Sequence, residues 1–224
     1  MPNLSVFFAL GFGAIAMFVP VFFQSIWYSI KKWKSILVTV ALTITGFLGT
    51  YLLFFIENGW FGGTSFYGAI FFVPIIFSIF AKIINIPFGI LMNLCAPAEC
   101  VMLAIMKIKC NLDGCCAGRV IHTTADGTSV VFPSQIMELI VAVIIFIALI
   151  FIAYRKKNSV ILYPIYMIAY GATRFILNYF RAEAVNNLLP IGNIWSLVAI
   201  AIGVIWLAVL HYQKKKASPL SVQK

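Results

Sequence analysis

Charge is what this sequence has least of. Charged residues make up 10% of its 224 positions, and only six are acidic, whereas soluble globular domains are about one quarter charged. That scarcity excludes a soluble domain with a solvated coat. A basic leader is missing too, and the first apolar run exceeds the roughly 7 to 15 residues of a signal-peptide core. The first helix is therefore expected to stay in the mature protein. No half of the sequence repeats the other, which leaves a small transporter without its usual signature of inverted repeats. The five cysteines, Cys95, Cys100, Cys110, Cys115 and Cys116, are an odd number for a disulfide framework.

What is present is apolar: 63% of residues are hydrophobic and mean hydropathy is +1.05. A helix needs about 20 mostly apolar residues to cross the hydrocarbon core. Segments near 5–30, 36–56, 66–84, 88–106, 135–154, 160–181 and 191–212 meet that need. They predict an all-α polytopic membrane protein of about seven transmembrane helices. The expected domain is a single integral membrane unit over 1–224, with an outer-face loop at about 107–134 and a short basic cytoplasmic tail at 213–224.

The net charge of +10 raises nucleic acid as a partner, but its distribution decides against one. Lys31, Lys32, Lys34, Lys82, Arg155, Lys156, Lys157, Lys214, Lys215, Lys216 and Lys224 fall on one side of seven alternating spans, eleven of the 16 basic residues. The positive-inside rule then puts the N-terminus outside and the C-terminus in the cytoplasm. These runs read as topology anchors and contacts to anionic lipid. The acids Glu57, Glu99, Asp113, Asp126, Glu138 and Glu183 lie on the outer side or within spans. Glu99 falls mid-helix, where an acid faces a protein interior or a wet cavity.

The longest interval unsuited to lipid is Lys107 to Glu138, KIKCNLDGCCAGRVIHTTADGTSVVFPSQIME. Its cysteines admit three readings. Cys110, Cys115, Cys116 and His122 would supply four zinc ligands, although adjacent cysteines are awkward for tetrahedral geometry. A redox pair or disulfide is the second, and small residues in a tight Gly114-to-Gly118 loop the third. Cys95 and Cys100 fall in a span, as small apolar residues.

Polar residues elsewhere follow a pattern. Gly62, Gly63 and Gly68 surround Tyr67 at the start of the third helix, where backbone N–H groups would face an anion, or where the chain makes only a tight turn. Pro133 suits the first turn of a helix, and Gln135 and Glu138 share one face of it. Tyr170, Arg174, Asn178 and Arg181 are spaced four, four and three, one stripe on an otherwise apolar helix. Arg174 would lie about 10 Å deeper than Arg181. The plainer readings are snorkelling for Arg181 and an ion pair with Glu138 or Glu99 for Arg174. In the expected topology Tyr67, Lys107, Glu138 and Arg174 all reach the outer end of their helices. Cations converging there suit a phosphate, and a lipid headgroup is its nearest source.

At these residues the chain resembles the prolipoprotein diacylglyceryl transferase family. The run Gly62-Gly63-Thr64-Ser65-Phe66-Tyr67-Gly68 is similar to the family's glycine-rich approach to its third helix. Lys107 to Gly118 resembles a loop that ends in Asn-Gly-Cys-Cys-x-Gly in many members. Pro133-Ser134-Gln135 with Glu138 is similar to His-Pro-Ser-Gln-x-x-Glu, and Tyr170-Gly171-x-x-Arg174-Phe175 with Arg181 to the late Tyr-Gly-x-x-Arg-Phe segment. The motifs keep the family's order across 62–181. The resemblance implies transfer of diacylglycerol from phosphatidylglycerol to the lipobox cysteine thiol of a prolipoprotein, releasing glycerol phosphate, with no cofactor or metal. It implies a bacterial cell membrane enzyme with its site near the outer leaflet.

Within that resemblance Arg174 would stabilise the leaving phosphate, with Lys107 and Arg181 assisting. Tyr67 or Glu138 would take the thiol proton, since the thiolate is the nucleophile. Gly62, Gly63, Gly68, Gly114, Ser134, Gln135, Tyr170, Asn178 and Arg181 would bind substrate. The chain departs from the family at Tyr67 (often histidine), Lys107 (arginine), Ala69 (glycine), Asp113 (asparagine), Phe132 (histidine) and Asn178 (often glutamate). A paralogue that binds lipid or uses another acceptor, and a membrane thiol redox protein built on Cys110, Cys115 and Cys116, are the alternatives.

Overall fold

A computed structural model describes residues 4–116, 118–156, 159–182 and 190–217. Among them are seven helices: α1 (Leu4–Trp27), α2 (Lys32–Asn58), α3 (Tyr67–Ile83), α4 (Phe88–Leu112), α5 (Ser134–Arg155), α6 (Leu162–Asn178) and α7 (Ile191–Ala217). Spans within α1, α2, α4, α5 and α7 are long and apolar enough to cross a membrane, while α3 is a shorter apolar helix of 17 residues. Phe12, Ile15, Ile79 and Ile83 point outward and are each more than 60% exposed. An apolar exterior of that kind suits lipid, and the chain is a helical membrane protein.

The fold is built around α4, which packs against α1 and α5 and also touches α3 and α6. Its residues 91–100 are all buried, and small side chains at Cys95, Ala96, Ala98 and Cys100 let neighbouring helices come close. Helices α2 and α3 pair through glycine. A Cβ on Gly68 would stand 2.0 Å from the Gly49 carbonyl oxygen, so the two backbones touch. Asn93 ties the far end together: its amide donates to Tyr28 Oη (2.9 Å) and the Ser159 carbonyl (2.6 Å), and its oxygen accepts from the Leu162 N–H (3.1 Å).

Several boundaries differ from the sequence expectation. Helix α4 runs six residues past 106, because nothing from Lys107 to Leu112 breaks a helix. It stops near Gly114, whose φ of +68° is left-handed. Helix α6 ends at Asn178, not 181. Its last carboxamide turns to Asn193 on α7 (2.8 Å), and the chain leaves so that the Phe180 carbonyl accepts from the Arg119 N–H (2.9 Å). Arg181 is thus not on the helical stripe. Helix α7 carries Lys214, Lys215 and Lys216 within it, so the helix includes the start of the expected tail. Lys157, Glu183 and Lys224 lie outside the described residues.

The expected loop holds an antiparallel hairpin, β1 (Val120–Thr123) with β2 (Ser129–Val131). Its strands are rich in β-branched residues. Gly127, at φ +83°, makes the turn, where Asp126 accepts from the Thr124 and Thr128 hydroxyls. These groups pull the exposed Asp126 carboxyl below its usual range. Phe132 and Phe180 stack at 4.8 Å and hold the hairpin base against the end of α6.

Candidate functional site

The helices enclose a cavity of about 690 Å³ whose wall changes character along its length. Met17, Leu42, Met102 and Leu103 line an apolar part, and Lys107, Arg174, Asn178 and Arg181 line a cationic part. A chamber of that size, apolar with a few convergent polar groups, is the usual form of a ligand site.

The cationic part is organised by Glu138, which is 4% exposed. One turn into α5, it meets a cation from each of three other segments. Its Oε2 pairs with Lys107 Nζ of α4 (2.6 Å), and its Oε1 meets Arg174 Nη1 of α6 and Arg181 Nη1 from the chain after α6 (3.3 Å). Three cations around one carboxylate leave a net charge of +2. Glu138 itself is not part of the cavity wall, so the cations face the chamber with the acid behind them. A buried charge cluster of that sign holds its geometry at rest and suits an anion.

Tyr67 enters the same wall from the first residue of α3. Its hydroxyl shares a 2.6 Å hydrogen bond with Ser196 Oγ, and Ser196 gives its single proton to the Gly192 carbonyl (2.7 Å). Tyr67 is therefore the donor in that pair. Tyr170 packs edge-on against the Tyr67 ring at 5.4 Å. The two residues expected to take a proton are both engaged, Tyr67 donating to Ser196 and Glu138 holding three cations.

Of the other expected residues, Gly62 and Gly63 line the chamber. Gly68 does not: its N–H donates to the Ser65 carbonyl (2.9 Å), and its missing side chain serves the contact with Gly49. The anion-facing role read for it is corrected to close helix packing. Gly114 is a left-handed turn residue outside the wall. Ser134 and Gln135 are also outside it. Ser134 Oγ donates to the Cys116 carbonyl and Gln135 Nε2 to the Cys115 carbonyl, both at 2.7 Å. The Pro-Ser-Gln turn thus fastens the two-cysteine loop to α5.

Cys110, Cys115 and Cys116 are all in the chamber wall. Their sulfur atoms lie within 4.8 Å of one another. A hydrogen bond from Cys110, with Lys107 and Arg181 nearby, pushes the Cys116 thiol down to about 5 against the opposing effect of burial, and burial pushes Cys115 up. All five cysteines are free thiols. His122 stands exposed on β1 and is not in the sulfur group, so the four-ligand set with His122 does not assemble.

Sequence reading missed the contribution of α7. Asn193 and Ser196 are fully buried and hold Asn178 and Tyr67. They are three apart in an apolar helix, the same spacing signal that marked α6. Glu99 also lines the chamber, 3% exposed, with one oxygen accepting from Tyr163 Oη (3.0 Å).

Residues 4–209 match the family described as prolipoprotein diacylglyceryl transferase. Proteins named phosphatidylglycerol–prolipoprotein diacylglyceryl transferase from Francisella tularensis subsp. novicida (strain U112), subsp. tularensis (strain WY96-3418) and subsp. holarctica (strain LVS) are each 27% identical over 170 residues. The match covers 70% of this chain and 63% of each relative, so the chain spans under two thirds of their length.

Proposed function

The chain belongs to the prolipoprotein diacylglyceryl transferase family, and on that premise we propose that it transfers a diacylglyceryl group from phosphatidylglycerol to the lipobox cysteine thiol of a prolipoprotein. Glycerol phosphate leaves. The observation that carries this reading is the +2 cluster of Lys107, Arg174 and Arg181 around Glu138 at one end of a chamber whose other part is apolar. An anionic lipid has that same division, a charged phosphate joined to hydrocarbon.

In the reaction the acceptor thiolate attacks the glyceryl carbon, the C–O bond breaks, and the electron pair leaves on phosphate oxygen. Arg174, with Lys107 and Arg181, faces that oxygen and stabilises the growing charge, a contribution of about 3 kcal/mol for one positioned donor. Glu138 holds the three cations in place and acts through them. Tyr67 and Asn178, anchored by Ser196 and Asn193, shape the wall beside the reacting carbon. In the wall beside the lipid, Gly62 and Gly63 leave room for the Trp60 and Phe54 rings, and Tyr170 supports Tyr67.

The single domain sits in the bacterial cell membrane with its N-terminus outside, its basic turns and tail in the cytoplasm, and the cationic end of the chamber near the outer leaflet headgroups. The distribution of lysine and arginine supports that orientation.

The test is a transfer assay in proteoliposomes with phosphatidylglycerol and a lipobox peptide, read by mass spectrometry for a diacylglyceryl thioether. The expected result is an adduct with the natural sequence and none with Arg174→Ala. An adduct formed equally well by Arg174→Ala removes the phosphate role from this cluster.

A further inference from the structure

The reaction proposed above needs a thiolate, and the two residues read as acceptors of the thiol proton, Tyr67 and Glu138, are both engaged. Tyr67 is donating to Ser196, and Glu138 must release a cation before it can accept one. The wall offers another means of making a thiolate. Cys110 from the last turn of α4 and Cys115 and Cys116 from the following loop bring three sulfur atoms within 4.8 Å of one another.

We propose that Cys110, Cys115 and Cys116 hold a thiophilic divalent cation, zinc in chemical class, whose fourth position is open to the acceptor thiol. This rests on the transferase reading. Three protein ligands and one exchangeable position distinguish a catalytic zinc site from a closed structural one. Tetrahedral Zn–S bonds of about 2.3 Å place sulfur atoms about 3.8 Å apart, so a group already within 4.8 Å needs about 1 Å of closure.

The loop is built for that convergence. Gly114 and Cys116 are both left-handed, at φ +68° and +60°. Cys116 is one of few non-glycine residues in that conformation among the described residues, and a strained backbone held at a cavity wall marks a functional constraint. The strain is held by hydrogen bonds from Ser134 to the Cys116 carbonyl, Gln135 to the Cys115 carbonyl, and the Cys115 N–H to the Cys110 carbonyl (3.0 Å). This gives the Pro-Ser-Gln motif a purpose that substrate contact does not supply. Charge is consistent as well: three thiolates and a divalent cation sum to −1, with Lys107 and Arg181 beside Cys116.

The chemistry follows and balances. The acceptor thiol enters the open position, displaces a water molecule and loses its proton to solvent, because a thiol bound to such a cation is deprotonated outright. The thiolate attacks the glyceryl carbon of phosphatidylglycerol. One S–C bond forms, one C–O bond breaks, and the electron pair goes to the phosphate oxygen facing Arg174. Glycerol phosphate leaves with the charge and takes a proton back from solvent. The thioether product, neutral and a poor ligand, gives way to water. Nothing is oxidised or reduced.

The test loads the full-length, reduced, detergent-purified protein with cobalt(II). The expected result is one cobalt per chain with thiolate-to-metal charge-transfer absorption, lost in Cys115→Ser and Cys116→Ser variants that keep native helicity and elution. A lipobox peptide should shift the cobalt spectrum, and its cysteine-to-serine version should not. Arg174→Ala should load cobalt normally and fail to transfer, which separates the metal site from the phosphate site. Reduced natural protein that takes up no stoichiometric cobalt overturns the proposal even if the serine variants misfold. So does cobalt that survives in folded serine variants, or a full rate of transfer by metal-free protein in chelator. A peptide-shifted spectrum without any thioether product supports the site and removes the transferase reading.

Discussion

Replacing Glu138 by glutamine keeps the shape of the side chain and removes the charge that three cations share. In the native arrangement Oε2 lies 2.6 Å from Lys107 Nζ, and Oε1 meets Arg174 and, at 3.3 Å, Arg181. The cluster would pass from +2 to +3 behind a wall where Glu138 itself is 4% exposed. Removing one partner of a buried ion pair costs about 3–5 kcal/mol, and here one carboxylate serves three partners. Glu138→Gln is therefore expected to lose about 3 kcal/mol or more of stability. Its kinetic effect has two parts of opposite sign. A more positive site holds the phosphate at least as tightly, so KM for phosphatidylglycerol stays level or falls. Arg174, no longer fixed, meets the leaving oxygen badly, and a loss of about 3 kcal/mol in the transition state lowers kcat by about 100-fold. Thermal unfolding in detergent and kcat and KM from the thioether assay read both parts. Native stability with native kcat would refute the idea that Glu138 organises the cations, and a raised KM with unchanged kcat would place its role in ground-state binding.

Gly68→Ala should lower stability by about 1–3 kcal/mol through overpacking, because its Cβ would fall 2.0 Å from the Gly49 carbonyl oxygen; a lowered unfolding midpoint with unchanged KM per folded molecule is expected, and an altered KM alone would restore a binding role to Gly68. Ser134→Ala should free the Cys116 carbonyl at about 1 kcal/mol and speed hydrogen exchange of the Cys116 amide about five-fold, whereas unchanged exchange would show that the loop is held elsewhere. Lys107→Arg, which puts a fork where a point charge now stands, is expected to leave transfer level or improve it, as measured by initial rates; a loss of activity would show that the 2.6 Å contact with Glu138 depends on the compact ammonium. Ser196→Ala should leave the Tyr67 hydroxyl without its 2.6 Å partner and cost about 1–3 kcal/mol of stability, and native stability would show that Tyr67 finds another acceptor.

Much of this site was legible in linear order. The four-four-three spacing of Tyr170, Arg174, Asn178 and Arg181 placed them together, because an apolar helix in lipid must turn its polar residues inward. Three of the four do lie on α6, and Arg181 reaches the same carboxylate from outside the helix. Pro133, Gln135 and Glu138 marked a helix start, and Ser134 opens α5 with Pro133 at its cap. What was not legible was which residue serves which partner. Gly68 and Gln135 carry signals equally suited to ligand contact and to packing, and only the approach of Gly49 and of the Cys115 carbonyl decides between them. The hairpin was missed because two strands of four and three residues are too short for a periodic signal to separate them from a loop.

The sequence by itself determined the solvent of this protein, since runs of about 20 apolar residues with so few charges have no other stable environment. It also determined which polar residues had to face inward, because each was isolated on an apolar surface. The tertiary structure alone decided that one carboxylate gathers three cations from separate segments, that Ser196 binds the Tyr67 hydroxyl, and that three cysteine sulfurs converge on a cavity wall. Those are contacts between residues up to 129 positions apart. Helical periodicity acts over a few residues, while such contacts are set by how whole helices cross and where loops are fastened.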